Sequence, residues 1–386
     1  MDKRGIRPGL AALTLMLLSS CATVRVQLPE EGGRAGWFLP GGSLQHENVA
    51  EKGLKPPLQL RRVLKLNAAP AAHLAYLDSV LFIPTRHGRI YAFHMGRQKM
   101  IGKVKLPDNA EGQIAIHPQG YLIITLKLGH ETLQCYDLRL GGFRWKKRVG
   151  LVFSSPVPAD SSIYVVSKFR HADRYDLRTG RRIWQFSFTG QSYTTPALSS
   201  NLLIFATDKG RVFALKRSNG EKVWEAALPA PVLATPVISD TLRRVFVASL
   251  DGTLMALDLN DGTEKWRYKA KGSVRHAPAV TATRLVLSDG SGRLVALDAH
   301  TGEVLWEQNH KTPFGTSPLI AGGFIYLGGL DRVLRIFDLD SGEQLWEMEL
   351  KGRIRTTPMV VHDYLVVGSE DKYIYFFAEI AEAPSE

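Results

Sequence analysis

Tryptophan recurs at a nearly constant interval, and this constrains the fold more than any other feature of the chain. Successive tryptophans are 39, 40, 42, 40 and 40 residues apart: Trp145, Trp184, Trp224, Trp266, Trp306 and Trp346. A proline after a small residue keeps the same phase, with steps of 40, 40, 42, 40 and 40: Pro156, Pro196, Pro236, Pro278, Pro318 and Pro358. Two markers in phase over six copies indicate repeats of about forty residues.

Each repeat predicts four short strands. In the copy that starts at Pro236, strand character is present at 236–238, 244–249, 253–257 and 264–268, with turn residues between these runs. The third run follows an Asp-Gly turn, a hairpin signal. Four strands in about forty residues, with no helical stretch, are typical of a β-propeller blade.

The number of blades follows from the two ends of the repeat region. Two weaker copies precede the six clear ones, and the last copy, within 353–378, has only three strands. Residues 58–66 have strand character and precede the first copy, so we expect them to complete the last blade. The prediction is an all-β fold: a single eight-bladed β-propeller of four-stranded blades over 58–378, with a tail at 379–386. One tryptophan per blade is interpreted as structural docking between blades.

The first twenty residues predict a lipoprotein signal peptide. Three positive charges precede an apolar run at 9–18, which is too short to span a bilayer as a helix. The run ends in Leu18-Ser-Ser-Cys21, which resembles a bacterial lipobox. The resemblance implies lipidation of Cys21, and Ala22 after it implies the outer membrane and its periplasmic side.

The residues between the signal and the propeller predict a tether. Residues 21–57 are rich in Gly, Pro and charge and have no sustained period; a flexible chain of this length extends about 30–36 Å. The net charge of +12 favours acidic partners or only maintains solubility, and both interpretations stay open. Nucleic acid is not an expected partner in this compartment. Cys135 would be the only cysteine left for an internal disulfide, so the fold must be held by its core.

The repeats resemble two related groups of proteins. The x-Pro strand, the hairpin of the type Asp251-Gly-Thr-Leu-Met-Ala-Leu-Asp258 and the Gly-Glu-x-x-Trp ending are similar to the tryptophan-docked repeats of pyrroloquinoline-quinone (PQQ) enzymes. With eight blades and a lipobox, the chain resembles the BamB family of outer-membrane assembly lipoproteins. That resemblance implies contacts with the barrel-forming subunit through a Leu-x-Leu-Arg stretch. Here the equivalent segment is Phe186–Tyr193, which lacks this motif, so no partner-binding residue is carried over.

Catalysis is the main alternative, because quinone enzymes share the repeat. Such enzymes use a vicinal cysteine pair and Ca²⁺ ligands, and the sequence shows neither set. Its aspartates fall at hairpin turns, where turn formers are favoured, and its histidines have no metal-ligand spacing. We therefore predict no catalytic residues, no metal and no cofactor.

A binding site is predicted at the rim of the central channel. The positions three residues before each proline should converge there: Phe153, Tyr193, Leu233, Arg275, Gly315 and Arg355. Arg275, His276 and Arg355 would form a positive funnel with Tyr193 and Phe153, unless they are ordinary exposed loop residues. The preferred function is a non-catalytic scaffold for outer-membrane barrel assembly. A quinoprotein oxidoreductase or quinone sensor, and a cell-wall or polysaccharide binder, are the alternatives.

Overall fold

The described residues, 24–25, 36–107 and 110–380, form 34 strands and no α-helix in a computed structural model of the chain. Thirty-two of these strands make eight antiparallel sheets of four, which are the blades of a propeller, and the other two extend two blades. The predicted fold class is confirmed. No described stretch forms an apolar helix of membrane-spanning length.

In blades 1 to 7 the four strands run in chain order from the channel outward. Blades 1 to 4 consist of β4 (Ala75–Leu77), β5 (Val80–Thr85), β6 (Arg89–His94) and β7 (Lys99–Lys105); β8 (Gly112–His117), β9 (Tyr121–Leu126), β10 (Leu133–Asp137) and β11 (Gly142–Lys147); β12 (Val157–Ala159), β13 (Ser162–Val166), β14 (Phe169–Asp176) and β15 (Arg182–Gln191); and β16 (Ala197–Leu198), β17 (Leu202–Ala206), β18 (Arg211–Lys216) and β19 (Lys222–Ala227).

Blades 5 to 8 repeat this arrangement, and the N-terminal strands join blades 1, 7 and 8. Blades 5 to 7 consist of β20 (Val237–Ser239), β21 (Arg244–Ala248), β22 (Thr253–Asp258) and β23 (Glu264–Lys269); β24 (Ala279–Val280), β25 (Arg284–Ser288), β26 (Arg293–Asp298) and β27 (Val304–Asn309); and β28 (Leu319–Ala321), β29 (Phe324–Gly328), β30 (Val333–Asp338) and β31 (Gln344–Glu349). Blade 8 contains β32 (Met359–Val361), β33 (Tyr364–Ser369), β34 (Tyr373–Glu379) and β3 (Leu58–Lys65), while β1 (Gly36–Trp37) joins blade 1 and β2 (Val49–Ala50) joins blade 7.

The ring is closed by strand pairing between the two ends of the propeller. Strand β3 pairs antiparallel with β34, from Leu58 opposite Glu379 to Lys65 opposite Tyr373. Because the chain continues from β3 through residues 66–74 into β4 of blade 1, this pairing ties the first repeat to the last one. It also covers two sheet edges that could recruit other chains. This agrees with the prediction from the incomplete last repeat.

The repeated tryptophans dock each blade onto the next one. Five of them donate an indole N–H to a backbone carbonyl in the third-to-fourth strand turn of the following blade, at 2.9–3.3 Å: Trp145 to Leu177, Trp184 to Arg217, Trp224 to Leu259, Trp266 to Ala299 and Trp306 to Leu339. A glycine with positive φ in the same turn packs on the indole ring; Gly262 on Trp224 is one example. Blade 8 lacks this turn, and Trp346 instead meets Phe377 edge to face, with ring centroids 5.8 Å apart.

The apolar core of the described residues lies between blades. Eight clusters of buried side chains each join strands of neighbouring blades, and the cluster between blades 8 and 1 includes Leu66, Phe93 and Phe376. Because each interface buries its own apolar surface, the blades hold one another in place and leave the axis open as a channel.

Residues 36–50, which we name the strap, run across one end of this channel. Backbone N–H groups of the inner strands donate to strap carbonyls in blade after blade, at 2.8–3.0 Å: Ile116 to Phe38, Leu198 to Leu44, Ile238 to Gln45, Val280 to Glu47 and Ile320 to Asn48. Strand β1 pairs with β4, and β2 runs parallel to β28. The strap is thus bonded to the inner strands of six blades.

The strap differs from the flexible tether expected over residues 21–57. Leu39 is 3% exposed and packs between blades 3 and 4, and Trp37 packs against the clusters that flank blade 8. The inner strands offer free donors at the channel edge, and the strap carbonyls satisfy them, which favours an ordered path. The predicted signal peptide and Cys21 lie outside the described residues.

Candidate functional site

A cup-shaped cavity occupies the channel on the propeller axis. Its floor is made by the strap through Pro40, Gly41, His46 and Asn48, and its wall by residues that precede the inner strands. The cavity contains about 820 Å³ of empty space, part of it open to solvent. In the part of the chain that the structure describes, the strap covers one end, so the cup opens on the opposite side, which we name the loop face. The other side of the disc, with the first-to-second and third-to-fourth strand turns, is the turn face.

The structure brings the six predicted rim positions together in the wall of this cup. The residues that precede the six inner strands all line it: Phe153, Tyr193, Leu233, Arg275, Gly315 and Arg355. His276 lines it too, beside Arg275. The convergence follows from the repeat, because equivalent positions in a closed ring are related by the ring's rotation.

Hydroxyl groups form a partial ring below this rim. The residue before each repeat proline is Ser or Thr in five of the six copies, and Ala277 in the other. Neighbouring blades are joined through these groups, since the Ser155 N–H donates to Thr195 Oγ1 at 3.2 Å and the Thr195 N–H to Thr235 Oγ1 at 3.3 Å. The ring therefore gives the cup a polar wall and links blades 3 to 5.

Three histidines line the cup, two of them outside the predicted site. Burial lowers the pKa of His73 to about 4, and repulsion from His46 and His276 when they are protonated contributes to this shift. Burial also lowers the pKa of His276 to about 4, with Arg355 and Arg275 as further causes. Burial lowers the pKa of His46, whose ring contacts the carbonyls of Pro40 and Pro196. The imidazoles are therefore neutral at pH 7, and the two arginines carry the charge.

The electrostatics of the cup favour an anionic group. Among the described residues that line it there is no Asp or Glu, whereas Arg275 and Arg355 are both exposed at its mouth. Arg355 is partly neutralised, because its Nε lies 2.9 Å from Glu370. Arg275 faces the cup without such a carboxylate among the lining residues. An entering carboxylate or phosphate would meet positive charge and hydroxyl donors and no like charge.

An aromatic patch lies beside the cup on the loop face, and we define it as Phe153, Phe169 and Tyr193. The rings of Phe153 and Tyr193 meet edge to face at 5.8 Å. Lys168 Nζ lies over all three rings, 4.7–5.4 Å from their centroids. Phe169 is 45% exposed, and Leu128, which follows Lys127 in the chain, is 63% exposed; Lys127 Nζ lies 5.8 Å from the centroid of the Phe153 ring. Exposed apolar side chains beside cations are typical of a protein-binding surface.

The cup does not fit a quinone cofactor held by calcium. Ca²⁺ takes six to eight oxygen ligands, usually including carboxylates, and the lining residues offer only hydroxyl, amide and backbone oxygens. Cys135 lies buried between blades 2 and 3, away from the cup, and burial raises its pKa to about 12. No cluster of three or more metal-binding side chains is present in the described residues.

The segment Phe186–Tyr193, which the sequence suggested as the counterpart of a partner-binding stretch, turns its phenylalanines towards the core. Phe188 is 7% exposed and packs on Phe205 at 4.9 Å between ring centroids. Phe186 contacts Phe213 in the same blade interface. Only Tyr193 at the end of the segment reaches the cup.

Sequence reasoning missed the strap side of the site. His46 and Asn48 lie in a Gly- and Pro-rich segment with no period, and His73 precedes a blade that lacks the x-Pro marker. The absence of periodicity suggested a linker for residues 36–50. The one available signal was Trp37-Phe38-Leu39, an apolar cluster that a solvated tether does not need.

Comparisons with known proteins agree with this architecture. The sequence profile described as outer membrane protein assembly factor BamB matches residues 86–194 and 170–379. A curated protein of that description from Legionella pneumophila (strain Paris) is 31% identical over 150 residues, which cover 35% of this chain and 38% of that protein. The chain thus spans about a third of the length of the curated relatives it matches.

Solved structures show the fold at lower identity. BamB from Moraxella catarrhalis superimposes with a TM-score of 0.71 at 20% identity, covering 83% of this chain and all of that one. A europium-containing methanol dehydrogenase gives a TM-score of 0.75 at 12% identity, covering 89% of this chain and 98% of that one. Both similarities concern the propeller fold, and neither identifies functional residues in this chain.

Proposed function

This chain belongs to the family described as outer membrane protein assembly factor BamB, and from that premise we propose that it is a non-catalytic scaffold. In this proposal Cys21 carries a lipid that holds the protein on the periplasmic side of the outer membrane. The propeller presents its loop face to other proteins of the outer-membrane assembly apparatus, including the barrel-forming subunit.

The observation that carries the proposal is the pairing of the cup with the aromatic patch on one face. The patch offers Phe169, with Lys168 over its ring, and the neighbouring blade offers the exposed Leu128, all of which a partner could cover. The adjacent cup offers Arg275 and no carboxylate. A partner with an apolar contact next to an acidic segment would match both features. Phe153, Tyr193, Arg275, His276 and Arg355 are the proposed contact residues of the cup.

The chemistry of the cup supports a non-catalytic role. A general acid or base works best with a pKa near the working pH, yet His73 and His276 have pKa values of about 4. Both are therefore neutral at pH 7, and no carboxylate lies beside them to orient a proton transfer. The groups present suit binding of an anion better than proton transfer.

The test is co-purification from detergent-solubilised envelopes with the lipidated protein as bait. We expect the barrel-forming subunit to co-purify, and Arg275→Glu with Arg355→Glu to reduce its yield at least tenfold at low salt. A matched control is Lys99→Glu with Lys103→Glu on the outer strand of blade 1, which makes the same charge change away from the cup. Equal yields from both pairs would refute the role of the cup.

A second measurement separates the scaffold from the quinoprotein alternative. The purified protein is incubated with PQQ, Ca²⁺ and an alcohol or sugar, and reduction of an artificial electron acceptor is followed. We expect no turnover above background, because the cup lacks the carboxylates that hold Ca²⁺. Turnover abolished by a chelator would make the protein an enzyme.

A further inference from the structure

The turn face of the propeller has an unequal charge distribution. We compare the third-to-fourth strand turns, which are equivalent in each blade. Those of blades 1 to 3 carry four arginines and no carboxylate: Arg97, Arg139, Arg178 and Arg181. Those of blades 5 to 7 carry four carboxylates and no Lys or Arg: Asp261, Glu303, Asp340 and Glu343. All eight side chains are exposed. We name the two groups the basic sector and the acidic sector.

The N-terminal chain is fastened in the middle of the basic sector. Val24 is 1% exposed and packs in the interface of blades 1 and 2, and its carbonyl accepts from Tyr136 Oη at 3.1 Å. Arg25 Nε donates to the carbonyl of Leu140 at 3.0 Å, in the third-to-fourth strand turn of blade 2. The chain is therefore held at the rim of the turn face before it enters the strap.

This attachment limits the distance between the propeller and a lipid on Cys21. Three residues span at most about 10–11 Å, and Cys21 precedes Val24 by three residues. A free tether as far as residue 57 would instead extend about 30–36 Å. An acylated Cys21 would therefore place the bilayer surface no further than the length of three residues from the blade 2 turn, where Leu140 is 67% exposed.

We propose that the basic sector of the turn face lies against an anionic lipid surface, so that the cup opens away from the membrane. The inference rests on the proposed anchoring at Cys21. Arginines near an anionic headgroup surface are attracted within a Debye length, whereas the acidic sector is repelled. The propeller is then tilted relative to the bilayer, with blades 1 to 3 closer to the lipid surface and blades 5 to 7 farther from it.

Two carboxylates on neighbouring first-to-second strand turns do not reverse this polarity. Asp160 is paired with Arg217, with 2.7 Å between Oδ2 and Nη2. Asp78 lies on the corresponding turn of blade 1, nearer the axis. The outer rim of blades 1 to 3, where Val24 and Arg25 are fastened, keeps its excess of arginine.

The orientation is measured on the lipidated protein in vesicles of phosphatidylcholine with phosphatidylglycerol. Three variants each carry a fluorophore on a single introduced cysteine. Thr179→Cys lies in the basic sector, the equivalent Ser341→Cys lies in the acidic sector, and Ser291→Cys lies on the loop face. Cys135 is buried and has a pKa raised to about 12, so it stays unlabelled. Quenching by headgroup spin-labelled lipid should be at least threefold stronger at residue 179 than at either other site. Equal quenching at the three sites would overturn the proposal.

The lipid surface itself is tested without the anchor. The mature chain with Cys21→Ser should float with anionic vesicles at low salt, and Arg139→Glu with Arg178→Glu and Arg181→Glu should weaken this at least tenfold. The control is Lys209→Glu with Lys271→Glu and Lys311→Glu, which makes the same charge change on the loop face and should leave flotation unchanged. Equal effects of the two triplets would refute the assigned face.

The two proposals fail in different ways. If mass spectrometry of the exported protein shows no acyl group, the anchoring at Cys21 fails, while flotation still decides the basic sector. If the protein is acylated but the three labels are quenched equally, the anchoring holds and the orientation is wrong.

Discussion

The docking tryptophans allow a quantitative test, because one of them lacks the hydrogen bond that the others make. Trp224 is 6% exposed, and its indole N–H donates to the carbonyl of Leu259 at 3.0 Å. Trp346 docks on blade 8, where its neighbour is Phe377. Trp224→Phe therefore removes a donor from a buried carbonyl, whereas Trp346→Phe removes mainly ring area.

The expected losses of stability differ accordingly. A buried hydrogen bond contributes about 1 kcal/mol, and a buried acceptor left without a partner costs about 1–3 kcal/mol. With the smaller ring included, Trp224→Phe should lower the free energy of unfolding by about 2–4 kcal/mol, and Trp346→Phe by about 1 kcal/mol. Urea denaturation followed by far-UV circular dichroism measures both, since tryptophan fluorescence changes with the substitution itself. Equal losses would refute the role of the indole N–H.

The glycine under the ring supplies a second arm of the test. Gly262 has φ +73°, and a methyl group there would lie 2.6 Å from Cε3 of Trp224. Gly262→Ala alone should cost more than the roughly 1 kcal/mol of a left-handed alanine, because the methyl meets the indole. With Trp224→Phe present, part of this clash disappears, so the two losses should sum to more than the loss in the double variant. Strict additivity would show that ring and glycine act independently.

Two further predictions concern the cup and the ring closure. His73 and His276 have pKa values of about 4 in the folded protein, below the value of 6.5 expected in the unfolded chain. The free energy of unfolding should therefore be highest above about pH 6.5, and it should fall as the pH is lowered towards 4, because protons then bind preferentially to the unfolded chain. Asp173, with a pKa raised to about 6, opposes this fall in part, and His73→Asn with His276→Asn should flatten the profile of melting temperature against pH. Deletion of residues 58–66 should expose the edge of β34, lower the melting temperature and cause aggregation; a monomeric protein with unchanged melting temperature would contradict the closure.

The periodic part of the molecule could be predicted from sequence because its information is local and repeated. Trp224 and Pro236 each lie in a series of six, so the blade length, the strand order and the convergence of Arg275 and Arg355 at the channel follow from spacing alone. The incomplete last repeat likewise predicted the pairing of β3 with β34. Errors at single positions do not disturb an inference drawn from six copies.

The strap could not be predicted because its contacts are single and distant in sequence. Asn48, for instance, accepts from Ile320 through its carbonyl and donates through Nδ2 to the carbonyl of Pro278. His46 and Asn48 also have positive φ, at 60° and 56°, which no local pattern indicates for these residues. The charge sectors escaped prediction for a related reason, since they emerge only when the equivalent turns of several blades are compared.

The N-terminal residues make three structural contributions from separate parts of the sequence. Val24 fastens the chain at the rim of the turn face, the strap makes the floor of the cup, and β3 closes the ring. A ring held only by apolar interfaces between neighbours could open at any one of them, whereas the strap bonds six blades at once through backbone groups. A pull on the N-terminal end would therefore be distributed over those blades before it reached β3. This argues that the described part of the propeller, which contains no disulfide, is held together by the strap as well as by its apolar interfaces.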